Sequence, residues 1–410
     1  MTSTEKLEKL QKQRREAIEA LDPFLAHDST LPEDIMMLMI YLNARPQHAS
    51  KADLLPRDEI EERLDIIKKI LDEQRLYLDD QTIQFTKLQL SAFLVMPLES
   101  LRQLIPGPFA PSELLDSFLF TIEPWLNFFL KGRWLQPNDN ASAETSNVTP
   151  KKRKFDGSDD EYDPNTRRVG PDGKIRRNQA ERNKCFDRDN EVCIITKAAN
   201  PDVCHIVPFV VNVSEENRAI TGKLKSIYAF MFGRAVEPKL QRLLANGLGC
   251  SDKSWNMICL NRQLHFWWAE ARFGLKCLGI TRHDELNSRI QVQFYWLPRH
   301  NGNPKEYARL EVNEVQEMLQ GSRPCSISAS RVESNRSIVS GQIFEMTMEH
   351  EEAANMKLMV DVQWALIRIA AMSGAAGAPE LLDDPRDPDS DFQVRVRKLL
   401  ERKEALSSLM

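Results

Sequence analysis

The chain has 410 residues, more than one ordinary hydrophobic core accommodates, so two or three domains are expected. Its apolar content of 42% with 28% charged residues excludes a wholly disordered polypeptide, and no apolar run reaches the ~20 residues that a membrane helix needs. A net charge of −5 excludes a uniformly basic nucleic-acid binder, though not one whose acidic and basic parts are segregated.

The first residues, Met1-Thr-Ser-Thr-Glu-Lys, have neither a basic start nor an apolar stretch, so no secretory leader is expected. The seven cysteines all lie at or beyond Cys185 and form no Cys-x-x-Cys pair. That pattern speaks for reduced thiols and against a disulfide framework or a four-cysteine zinc knuckle.

Residues 1–135 read as a helical bundle, a domain for a protein partner or for self-association. Glu5 to Leu21 is rich in helix formers, and Pro56 to Asp80 carries Ile60, Leu64, Ile67 and Leu71 at helical spacing. Further apolar segments follow at 83–95 and 112–131. Residues 136–183 change character: Asn, Ser, Thr, Asp, Gly, Pro and basic residues dominate, too few of them buriable to offset ordering entropy, so disorder is expected. Within that linker, Pro150 is followed by Lys151, Lys152, Arg153 and Lys154, a compact basic run that a nuclear import receptor could read. The nucleus is therefore the expected location.

Residues 184–375 carry the chemistry, and residues 376–410 read as an acidic linker with a short terminal helix. Val203 to Phe209 and Trp255 to Leu260 are short β-prone runs, and Arg262 to Lys276 has helical character, with helical segments expected at 222–247 between the runs. Beyond them, strands are expected at Arg289-Ile-Gln-Val-Gln-Phe-Tyr-Trp, at Arg309-Leu-Glu-Val and at Gly341-Gln-Ile-Phe-Glu-Met-Thr-Met, and a helix from Met356 to Met372, stopped by Gly374.

His205 ends the first β-prone run, Asn256 enters the second, and His265 stands in the first turn of the helix. Antiparallel pairing of the two runs with the helix across them would gather all three. Hydrolysis of a phosphodiester needs water deprotonated near neutral pH, for which an imidazole is suited, and His205 is the candidate base. Asn256 could orient that base or offer an oxygen to a cation, and His265 could bind the cation through a ring nitrogen. Arg272 and Lys276, two and three helical turns after His265, are candidate grips for flanking phosphates.

The sequences Cys193-Ile-Ile-Thr196, Val203-Cys204-His205-Ile-Val-Pro-Phe209 and Asn256-Met-Ile-Cys-Leu260 through His265-Phe-Trp-Trp268 resemble the HNH endonuclease family, over roughly residues 181–280. They look most like a subfamily common in uncharacterised fungal proteins. The resemblance implies a ββα-metal fold, so that the whole chain is α+β: helical bundle, basic linker, and nuclease-like domain with a C-terminal α/β extension. It implies a hydrolase of nucleic acid, DNA first, that uses Mg²⁺ or Mn²⁺. His205 would be the base, Asn256 its positioner or a metal ligand, and His265 a ligand. Many active members carry Asp, Glu or His directly before the base as a metal ligand; here Cys204 stands there, and a thiolate would suit Zn²⁺ better. Ala269 replaces a further His found in some relatives. The alternative is a catalytically silent module of the same fold that binds nucleic acid or a protein partner.

Overall fold

The computed structural model describes residues 3–43, 54–105, 112–134, 169–170, 173–300, 302–320 and 327–384. Most of the linker, with Lys151, Lys152, Arg153 and Lys154, and the terminal helix expected within 376–410 lie outside the described residues.

The chain divides into two compact units. The first, residues 1–48 with 328–338, contains helices α1 (Ser3–Leu25) and α2 (Pro32–Asn43) and a Ser330–Ser337 bridge. Everything else forms the second unit. It begins with α3 (Ile60–Leu78), α4 (Lys87–Val95), α5 (Leu98–Arg102) and α6 (Ser112–Trp134).

Helices α1 and α2 thus belong to the first unit and α3 to α6 to the second. The stripe Ile60, Leu64, Ile67 and Leu71 of α3 is buried, as expected. In α4, Leu88, Leu90, Phe93 and Leu94 are all buried. A helix apolar on every side needs cover on every side, and here α3, α6 and the late helix α13 (His350–Ser373) supply it. A Thr86–Gln89 capping box starts α4, each side chain taking the other residue's backbone N–H.

After the linker come α7 (Gln179–Arg188), β1 (Asp202–His205), three short helices α8 (Glu215–Gly222), α9 (Lys225–Phe232) and α10 (Glu237–Ala245), then β2 (Met257–Leu260) and α11 (Arg262–Ala269). β1 and β2 pair antiparallel, with His205 opposite Met257 and Cys204 opposite Ile258. A second antiparallel sheet has the order β3 (Phe273–Arg282), β4 (Asn287–Trp296), β5 (Ile343–Glu349).

α13 lies against this sheet closely enough that a Cβ on Gly274 would come 2.9 Å from Ile367. The helix ends at Gly374, whose φ of 86° is open to glycine without strain. Mixed helices and small antiparallel sheets make the fold α+β. Among the described residues, no helix is long and apolar enough to cross a membrane.

Two expectations require correction. Arg309 and Leu310 are not in a strand; the chain turns there and enters helix α12 (Val312–Gln320), with Arg309 paired to Glu314. The end of the linker is also ordered. Val169 bridges Ile175, the buried Ile175 donates its N–H to Val213, and Asn178 caps α7 through Ala180 and Glu181. A buried apolar side chain, backbone hydrogen bonds and a helix cap hold a segment whose composition alone reads as unfoldable.

Candidate active site

β1 leaves the sheet at His205, and Asn256 fixes the path of the chain beyond it. The Asn256 main-chain oxygen accepts from Ile206 N at 2.8 Å, and its side-chain oxygen accepts from Val207 N at 2.9 Å. Its Nδ2 donates to the main-chain oxygens of Val207 and Ser251, at 2.9 and 3.0 Å. A fully buried amide with both side-chain donors and its acceptor spent on backbone is a clamp. The structure therefore places Asn256 as a fastener of the segment after His205, with its oxygen engaged by Val207 rather than turned toward a cation.

The His205 ring is buried at 6% exposure and stacks on Phe209, with ring centres 5.5 Å apart. Its Nε2 lies 2.9 Å from Asp252 Oδ1. The other Asp252 oxygen accepts from the main-chain N–H of Asn178 at 2.5 Å. Because a carboxylate only accepts, the proton on this side of the ring sits on Nε2. Nδ1 is buried and has no hydrogen-bond partner among the described residues. Burial pushes the imidazole below its ordinary pKa, while Asp252 pulls the other way and loses, so the ring is neutral near pH 7.

His265 lies in the first half of α11. Asn261 caps α11 by accepting from Leu264 N at 2.7 Å, while Leu264 and Trp268 anchor the helix in the core. His265 Nδ1 then meets Asp202 Oδ2 at 3.1 Å, both side chains being partly open to solvent. Val203 of β1 faces α7. Val203 packs there against Cys185, Met257 and Cys259. Cys204 is buried, its Sγ turned toward the main-chain oxygen of Asp202 at 3.4 Å. Burial drives its thiol well above the ordinary pKa.

Arg272 and Lys276 are not on the helical face of His265. α11 stops at Ala269, Ala271 takes a φ of 53°, and Lys276 belongs to β3 opposite Gln293. The apolar and glycine-containing run Phe273-Gly-Leu-Lys-Cys-Leu-Gly pairs with β4 in preference to continuing the helix. Arg272 is instead tied to Glu270 at 2.8 Å.

A third cluster lies between α7 and the hairpin, where Cys185, Asp189 and Cys259 come within metal-binding distance of one another. The Arg188 guanidinium fills it. It contacts both Asp189 oxygens at 2.8 and 2.9 Å, Cys185 Sγ at 3.3 Å, and the main-chain oxygens of Met257 and Ser254. Burial opposes that charge, and the facing Asp189 more than compensates, raising the Arg188 pKa. A second cation has no reason to enter.

Sequence reasoning overlooked Asp202, Asp252 and Asn178. Asp202 stands three residues before His205 and Asp252 four before Asn256, but lone carboxylates in turns carry no period that would single them out.

The short hairpin thus carries His205 with its buried carboxylate partner Asp252 and the clamp Asn256, and the helix after it carries His265 with its partner Asp202. Residues 193–276 match the HNH endonuclease family. No curated protein and no solved structure matches the chain.

Proposed function

We propose that the protein is a metal-dependent endonuclease that hydrolyses DNA phosphodiester bonds, with β1, β2 and α11 as a ββα-metal unit. The observation that carries this reading is the His205 ring: neutral, anchored at Nε2, and with an unspent lone pair on Nδ1. Such a nitrogen can take the proton of an attacking water. Nδ1 is buried, and this role requires that an attacking water gain access to it.

The residues present fit a divalent cation at Asp202 and His265. Their facing donor atoms are 3.1 Å apart, and two adjacent ligands of one ion with bonds of ~2.1 Å lie about 3 Å apart. A carboxylate with an imidazole suits Mg²⁺, Mn²⁺ or Zn²⁺, whereas the neutral Cys204 thiol and the engaged Asn256 amide do not. The bound ion would stabilise negative charge building on the phosphate and the leaving oxygen. Asn256 keeps the chain after His205 in register, and Phe209 holds the ring plane.

Action in the nucleus rests on Lys151, Lys152, Arg153 and Lys154 as the address read by an import receptor. Exposed Ile18, Phe24, Met36 and Met39 on α1 and α2 support a protein partner or self-association through the N-terminal helices.

The test is nicking of supercoiled plasmid with Mg²⁺, Mn²⁺ or Zn²⁺, and with EDTA. Cleavage should require metal and fall by about 10²–10⁴ in His205→Ala. His265→Ala should weaken Mn²⁺ binding, read by calorimetry. The burial of Nδ1 and the neutral thiol at Cys204 favour the second reading, a silent module. A folded protein that shifts DNA and cleaves in no metal would establish it.

A further inference from the structure

The His205–Asp252 pair makes a prediction about which nitrogen does the chemistry, and that prediction rests on the endonuclease reading only for its catalytic consequence. Asp252 is 1% exposed and sits on the loop just before Asn256, 47 residues from His205 in sequence. Its two oxygens are divided between two donors: Oδ1 takes the imidazole Nε2–H, and Oδ2 takes the main-chain N–H of Asn178, the residue that caps α7. The Asn178 donor cannot be reversed, because a peptide N–H only donates.

We infer that Asp252 is the positioning residue of the site, which locks His205 into the Nε2–H tautomer so that Nδ1 is the nitrogen that accepts the proton from water. Asn178 holds the carboxylate in place and so couples α7 to the orientation of the ring. In the hydrolytic step, water gives its proton to Nδ1, its oxygen forms the new bond to phosphorus, and the leaving oxygen departs with the other electron pair. Asp252 neither gains nor loses a proton.

The substitution Asp252→Asn makes the inference sharp. The carboxamide oxygen of the variant must face the Asn178 N–H, since an NH₂ there would oppose another donor. The NH₂ group then faces Nε2 and can be satisfied only if Nε2 accepts. The imidazole must move its proton to Nδ1, which removes the base while leaving the shape of the side chain nearly unchanged.

The experiment is ¹⁵N NMR of the full chain with labelled histidine, the His205 signals being assigned by their loss in His205→Gln. In the wild type near pH 7.5, Nε2 should carry the proton and Nδ1 should show the shift of a bare ring nitrogen. In Asp252→Asn the two signatures should exchange. Plasmid cleavage by that variant should fall by about 10²–10⁴ in kcat with little change in KM.

A wild-type ring with its proton on Nδ1, or doubly protonated, overturns the inference without reference to any variant. So does a folded Asp252→Asn protein that keeps the wild-type tautomer. If wild-type protein cleaves nothing, the endonuclease reading fails, while the tautomer measurement still decides the role of Asp252.

Discussion

Two buried polar pairs flank the same short hairpin and do different things. Arg188–Asp189 lies between α7 and β2, and His205–Asp252 lies where β1 ends. In the first pair, the guanidinium nitrogens donate to the carboxylate, the thiol and two main-chain oxygens, and Asp189 Oδ2 also accepts from Cys259 N at 2.8 Å. Nothing is left over. In the second pair, both carboxylate oxygens are used, but the ring keeps one nitrogen without a partner. A saturated pair has no capacity to bind or transfer anything and serves as scaffold, whereas a pair with one unspent atom in a fixed direction can do chemistry. Cysteine and carboxylate proximity alone would have ranked the two clusters in the opposite order.

The comparison breaks most sharply at Arg188. Arg188→Met strips the partner from a buried carboxylate and should destabilise the protein by about 3–5 kcal/mol, measured by urea unfolding, because an uncompensated charge remains inside. The histidine tautomer should be unchanged wherever the variant is folded. A loss below about 1 kcal/mol would mean that this cluster is not the scaffold.

Asn256→Ala comes next. It leaves Val207 N–H, Val207 C=O and Ser251 C=O without their side-chain partner, which should lower stability by about 2–4 kcal/mol. Mn²⁺ affinity should be little changed, since Asp202 and His265 are elsewhere; a large loss of Mn²⁺ binding would instead make Asn256 a ligand.

The smallest effect concerns pH. His205 has its pKa depressed in the folded protein, so below about pH 6.5 the unfolded chain binds a proton that the native site resists. The stabilisation from this group is complete above that pH and is lost as the pH falls toward the folded value, with a slope of at most about 1.4 kcal/mol per pH unit. Burial also lowers His300, so the site's share is the difference in slope between wild type and His205→Gln. Equal slopes would remove the premise that His205 is held neutral.

Much of this arrangement is legible in the sequence. The helical stripe of α3, the strand at Arg289–Trp296, the helix through Met372 and the order of His205, Asn256 and His265 all arise from patterns within a few residues. Where local pattern misled, a competing long-range contact had won. Arg272 and Lys276 left the helix because β4 offered Phe273–Arg282 a strand partner. Residues 173–183 left the linker because Val213 and Asp252 offered Ile175 and Asn178 hydrogen bonds.

The sequence by itself determined the local elements that carry His205, Asn256 and His265, a short hairpin and the helix that follows it. Only the tertiary structure decided the role of each. It made Asn256 a backbone clamp and Cys204 a buried thiol, and it brought Asp202 to His265. It also brought Asp252 to the His205 imidazole, and Asn178, 74 residues from Asp252, to that carboxylate. The reason is that apolar periodicity is written residue by residue along an element, whereas the partner of a buried polar group is whichever donor or acceptor the packing of that periodicity delivers to it.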